Sequence, residues 1–231
     1  MKILHLYHDL MNLYGDYANL SALCRILETN GLEYTVHKQS LGYELSLNDY
    51  DFIYVGSGTE QNQKLALEHL TEYKEELKEY IESGKMALFT GNSFEMLGKS
   101  INSFLGDFEG LGIFDFATIE QNKTRTTADA IFTFGELETE LVGFINKCSE
   151  INGIETPLFS VTKGLANNKQ DGGEGIVSGN FFGTHLTGPV LVKNPHFLKY
   201  IAEKLAGKKL STDAFENEKK GFEITLKNLK Q

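Results

Sequence analysis

The chain has 231 residues, 41% of them hydrophobic and 23% charged, with a formal net charge of -10. That length and apolar content suit one large folded domain and exclude a disordered polymer. The acidic balance lacks the clustered Lys and Arg that a phosphate backbone requires, so no nucleic-acid partner is expected.

In chain order, residues 2–7 (Lys-Ile-Leu-His-Leu-Tyr) read as a first strand, too short and without a cleavage site to be a secretion signal. A helix is predicted over 17–29, with apolar positions at Leu20, Leu23, Cys24 and Leu27 and a stop at Gly31. Residues 33–38 and 51–55 read as strands, the second running into Gly56-Ser57-Gly58. A long helix is predicted over 62–83, its stripe being Ala66, Leu70, Tyr73, Leu77, Tyr80 and Ile81, with Gly84 as its cap. Residues 86–90 form a buried strand that turns at Gly91-Asn92 into a short helix ending near Met96. Strands alternating with helices imply a mostly parallel sheet covered by helices on both faces, with its site at the carboxyl ends of the strands, near Tyr7, Gly56–Gly58 and Gly91.

From about residue 107 the pattern changes. Short strands at 129–134, 141–146, 157–162 and 176–182, with no long helix between them, predict antiparallel structure continuing the same domain. A helix follows over 195–206 after Pro195. The Lys- and Glu-rich residues 207–231 form a charged extension, either a solvated helix or a surface for a partner. No stretch approaches the about 20 apolar residues of a membrane span. With two cysteines only, Cys24 and Cys148, the expectation is a reduced, cytoplasmic protein without membrane insertion.

The turn after the fourth strand has the form of a nucleophile elbow, yet its apex is Gly91. The segment Gly91-Asn92-Ser93-Phe94-Glu95-Met96-Leu97-Gly98 resembles the Cys-Gly-Gly-Tyr-Gln-x-Leu-Gly elbow of the cobyric-acid-synthase-like (CobB/CobQ-like) class I glutamine amidotransferases. Aligned on Leu97-Gly98, the cysteine of the motif falls on Gly91 and its glutamine on Glu95. Asp9 through Asp16 is similar to the N-terminal motif of the GatD subunits of lipid II isoglutaminyl synthases, and Gly56-Ser57-Gly58-Thr59-Glu60-Gln61 to their oxyanion-hole loop. Gly110 through Asp115 with Arg125, then Gly143-Phe144, Gly164 through Asn168, Asp171 and Glu174-Gly175, continue the likeness in order. Gly183-Thr184-His185-Leu186-Thr187-Gly188-Pro189 resembles Gly-Thr-Tyr-Leu-His-Gly-Pro, which sets Thr187 where the histidine base belongs.

The resemblance covers about residues 1–206 and implies a flavodoxin-like amidotransferase domain with no intact catalytic pair. It further implies a non-catalytic or ligand-binding subunit, a Mur-ligase-like synthetase partner such as MurT, and a role in peptidoglycan precursor amidation. Ser57, Gly58, Gln61, Asn92, Glu95 and Arg125 are the implied oxyanion or ligand-binding residues, with glutamine or a similar small molecule as the ligand. Losing a nucleophile typically removes about 10⁶ in rate. The alternative is an active enzyme with rearranged groups, Ser93 and His185. Ser93 reads either as a substitute nucleophile or as a residue satisfying a helix N-terminus. His185 reads either as a displaced base or as a hydrogen-bonding wall. Arg125 is either a carboxylate clamp or one half of a surface ion pair. Cys148 reads as a structural thiol. His5, His8, His37, His69 and His196 have no metal-ligand spacing, so neither metal nor cofactor is expected.

Overall fold

The computed structural model describes residues 1–121 and 125–231. Its first half is built from β1 (Lys2–Leu6), α1 (Tyr17–Thr29), β2 (Thr35–Gln39), β3 (Phe52–Val55), α2 (Glu60–Thr71), α3 (Lys74–Glu82) and β4 (Met86–Thr90). The elements then shorten: β5 (Ser100–Ser103), β6 (Gly106–Glu109), β7 (Ala117–Glu120), β8 (Thr126–Thr133), β9 (Leu141–Lys147), β10 (Ser149–Asn152), β11 (Phe159–Lys163), β12 (Gly173–Glu174), β13 (Ile176–Ser178), β14 (Phe181–Thr184) and β15 (Leu186–Thr187). Three helices close the chain, α4 (Val190–Lys193), α5 (Pro195–Ala206) and α6 (Glu216–Leu229).

The main sheet has six strands in the order β13-β14-β4-β3-β1-β2, all parallel except β13. Period-two alternation sends its side chains into two cores. Ile3, Phe52, Tyr54, Leu88 and Phe182 face α1, α5 and the five-stranded sheet β12-β11-β8-β9-β15. Leu4, Ile53, Val55, Phe89 and Phe181 face α2, α3 and the four-stranded sheet β10-β7-β5-β6. The later strands therefore form two small sheets flanking the main one, and β14 returns to extend it.

The helix predicted over 62–83 is two helices, broken at Glu72 and Tyr73. Three-residue bonds from Glu72 N–H to His69 O and from Tyr73 N–H to Leu70 O tighten the chain there. Leu70 and Leu77 on either side of the break stay fully buried, so the apolar stripe keeps its phase while the backbone does not. The strand predicted over 176–182 is likewise two antiparallel strands, turning at Gly179-Asn180. Among the described residues, no helix is long and apolar enough to cross a membrane.

Candidate active site

The main sheet brings together the ends of β3, β4 and β14. Gly91 follows β4 with φ +65°, a conformation that costs little only without a Cβ. The loop after β3 passes beneath the Leu10–Met11 turn so closely that a Cβ on Gly58 would meet Met11 Sδ at 2.3 Å. Asp16, at the start of α1 and fully buried, ties these turns together. Its carboxylate accepts the Ser57 N–H at 2.8 Å and the Thr90 hydroxyl at 3.0 Å. Burial raises the Asp16 pKa, and the bonds from Ser57 and Thr90 only partly offset it.

A narrow cleft lies over Gly91, with a cavity volume of about 20 Å³, and Ser57, Gly58, Asn92, Glu95, Arg125, His185 and Thr187 all line it. Gln61 does not: it lies on an exposed groove with Leu65 and Phe108. Helix capping explains this placement, because Thr59 caps α2 by accepting the Asn62 N–H and turns Gln61 outward on the first turn.

Each candidate group has its own geometry. The Ser93 hydroxyl is buried and donates to the carbonyls of Thr90 (2.8 Å) and Val55 (3.2 Å). It satisfies carbonyls and not the helical N–H groups expected of it. His185, 2% exposed, donates from Nε2 to Glu95 Oε1 at 2.9 Å, and its backbone N–H donates to Glu174 Oε1 at 2.7 Å. Its ring packs edge-on against Phe94, with centroids 4.6 Å apart. Its Nδ1 lies 3.3 Å from Glu174 without hydrogen-bond alignment. Thr187 donates its hydroxyl to the Phe144 carbonyl at 3.3 Å.

Glu95 stands in the middle of this set. Burial pushes its pKa up, but bonds from His185, Ser149 (2.5 Å) and Gln63 (3.0 Å) outweigh that and leave it below the usual carboxylate range. At the mouth, Arg125 pairs with Glu60 and reaches Asn146 Oδ1 at 3.2 Å, while Asn146 donates to the Tyr14 hydroxyl at 3.0 Å. Cys148 also lines the cleft and donates to Glu60 Oε1 at 3.3 Å. Burial and the Glu60 carboxylate push its thiol up to about 12, so it is protonated at neutral pH and a poor nucleophile.

Residue-by-residue reading missed Gln63, Lys64, Glu120, Lys147 and Ser149. Lys64 and Glu120 form a buried ion pair at 2.6 Å. Lys147 donates to the carbonyls of Ala166 (2.5 Å) and Asn167 (2.9 Å). A usable signal existed for Glu120: Phe116, Thr118 and Glu120 alternate inward along β7, and a charge on that phase needs a partner. Among the described residues no group of three or more His, Cys, Asp or Glu is arranged to hold a metal ion.

The CobB/CobQ-like glutamine amidotransferase domain matches residues 2–195. The lipid II isoglutaminyl synthase (glutamine-hydrolyzing) subunit GatD of Staphylococcus aureus strain N315 is 34% identical over 213 residues, covering 90% of this chain and 86% of its own. The subunit of the same name from Streptococcus pneumoniae strain ATCC BAA-255 / R6 is 30% identical over 216 residues, covering 92% and 83%. A crystal structure of a glutamine amidotransferase shares the fold, with a TM-score of 0.56 at 16% identity, covering 88% of this chain and 98% of that one. Matches of this extent give one conclusion: the chain belongs to the CobB/CobQ-like glutamine amidotransferase domain family.

Proposed function

We propose that this chain is a GatD-type subunit that has kept the amidotransferase scaffold and lost glutamine hydrolysis, serving lipid II amidation beside a Mur-ligase-like synthetase. The observation that carries the reading is Gly91 at the elbow apex: no attacking atom is present where the thiolate of a glutaminase would stand. Thr187, whose hydroxyl is spent on the Phe144 carbonyl, supplies no base. The similarity to GatD subunits over most of both chains supports the pathway, and those relatives' being subunits of a lipid II isoglutaminyl synthase supports a partner chain. The alternative, catalysis by Ser93 with His185, gains no support from the geometry. The Ser93 hydroxyl donates to two carbonyls, and His185 Nε2 is held by Glu95.

The test is ammonia release from L-glutamine by the purified chain, alone and with a Mur-ligase-like synthetase co-expressed from the same cell. No release above the enzyme-free rate, together with co-purification of the two chains, is the expected result. Glutamine-dependent ammonia release that disappears in Ser93→Ala or Cys148→Ala would overturn it.

A further inference from the structure

Backbone N–H groups of the loop after β3, where Ser57 and Gly58 line the cleft over Gly91, can serve an amide ligand only while they are free. In this chain they are taken. The Gly58 N–H donates to Asn92 Oδ1 at 3.0 Å, and the Ser57 N–H donates to Asp16 Oδ2 at 2.8 Å. The Asn92 main chain is pinned as well, its carbonyl accepting Gln63 Nε2 at 2.6 Å. The other end of the Asn92 carboxamide, Nδ2, is buried in the cleft wall without a hydrogen-bond partner among the described residues. Beside it, a Cβ placed on Gly91 would lie 2.2 Å from Ser57 Cβ and 3.1 Å from Ser57 Cα. The elbow motif that this segment resembles carries glycine at the position of Asn92, so the carboxamide is a feature of this chain.

We infer that Asn92 and Ser57 are specificity-determining residues that close the amide subsite: the Asn92 carboxamide occupies the donor that would hold the side-chain amide of glutamine, and Ser57 fills the space of a nucleophile's Cβ. This rests on the reading of the cleft as an idle glutaminase site, but it makes a separate claim. The site is idle because it is internally liganded, and clearing it restores binding of a primary carboxamide without restoring chemistry.

Calorimetry with L-glutamine on the native chain, Asn92→Gly and Asn92→Asp tests the first half. The native chain and Asn92→Asp, which keeps the acceptor oxygen, are expected to give no saturable heat. Asn92→Gly is expected to bind with a Kd of about 1 mM, at least about tenfold tighter than either. Saturable glutamine binding by the native chain, or a folded Asn92→Gly that binds no glutamine, overturns the inference. Should Asn92→Gly not fold, Asn92→Ala takes its place, with the same two outcomes. Thermal melting tests the second half. Gly91→Cys is expected to melt well below the native chain, and Ser57→Gly/Gly91→Cys to regain at least half of the loss. Equal melting of the single and double variants overturns the role of Ser57. Glutamine hydrolysis by the native chain would instead sink the proposed function, so the two failures are distinguishable.

Discussion

His5 lies on the α1 face of β1, 3% exposed, with its ring 5.4 Å from that of Tyr54 and 6.0 Å from that of His8. Burial first, then the charges of His8 and Lys38, push its pKa down to about 4 against a smaller upward pull from Asp9. The folded chain therefore holds a neutral imidazole at pH values where the unfolded chain, with an ordinary value of about 6.5, has taken up a proton. Stability from this residue is fully present above about pH 6.5 and is lost as pH falls toward the folded value, because the unfolded state binds more protons throughout that window. The whole shift corresponds to at most about 3 kcal/mol. Urea midpoints measured from pH 7 to pH 4 are expected to fall for the native chain and to fall less steeply for His5→Leu. Parallel slopes for the two proteins would assign the acid sensitivity to other groups. Such a residue is invisible as a titration site in sequence, since His5 there is only one polar position in an apolar strand.

Helix α6 shows the same division at the level of elements. The sequence marks residues 207–231 as charged, and most of α6 is indeed exposed. Phe215 and Phe222 are nevertheless buried, at 2% and 8% exposure, and the helix packs on α4, α5, β8 and β9. Phe222 meets the His196 ring at 4.5 Å, and Arg25 from α1 stacks over Phe215 at 4.6 Å while reaching Glu218 at 2.5 Å. Phe215→Ala is expected to cost about 3–5 kcal/mol by cavity formation. Lys219→Ala, which removes an exposed pair with Glu216, is expected to change stability by less than about 0.5 kcal/mol. Denaturant melts compare them directly, and equal midpoints for the two variants would mean that α6 does not pack on the domain in solution. Helices with a strong local period, α1 and α5, and the buried strand β4 were legible to the residue. The break between α2 and α3 was not, because no Gly or Pro marks it. The three-sheet arrangement was not legible either, since short strands with polar faces carry no record of distant partners. At the site, Gly91, Glu95 and Thr187 were legible through the family motif, whereas Asp16 and Lys64 owe their roles to neighbours far along the chain.

Across the whole molecule, one buried polar chain links the three sheets. Glu120 on β7 pairs with Lys64 on α2 at 2.6 Å, and Lys64 donates to Gln63 Oε1 at 2.8 Å. Gln63 donates to Glu95 at 3.0 Å, and Glu95 accepts from His185 at 2.9 Å. His185 N–H donates to Glu174 on β12 at 2.7 Å, whose other oxygen accepts the Thr184 hydroxyl of β14 at 2.7 Å. Burial raises the Glu120 pKa, with Lys64 opposing and Glu95 and Glu60 adding to the rise, so the pair is costly to ionise and costly to break. Under the proposed loss of glutamine hydrolysis these carboxylates have no catalytic use, and the role proposed for them is to fix the sheets against one another. The two halves of that claim separate in a mutant cycle. Lys64→Met strands a buried carboxylate and is expected to cost about 3–5 kcal/mol. Lys64→Met/Glu120→Leu removes both charges and is expected to recover most of that loss, as apolar replacements of buried ion pairs often do. A double variant no more stable than the single one would show that Lys64 works through Gln63 and Glu95 and not through Glu120. A single variant at native stability would show that the polar chain does not hold the three sheets together.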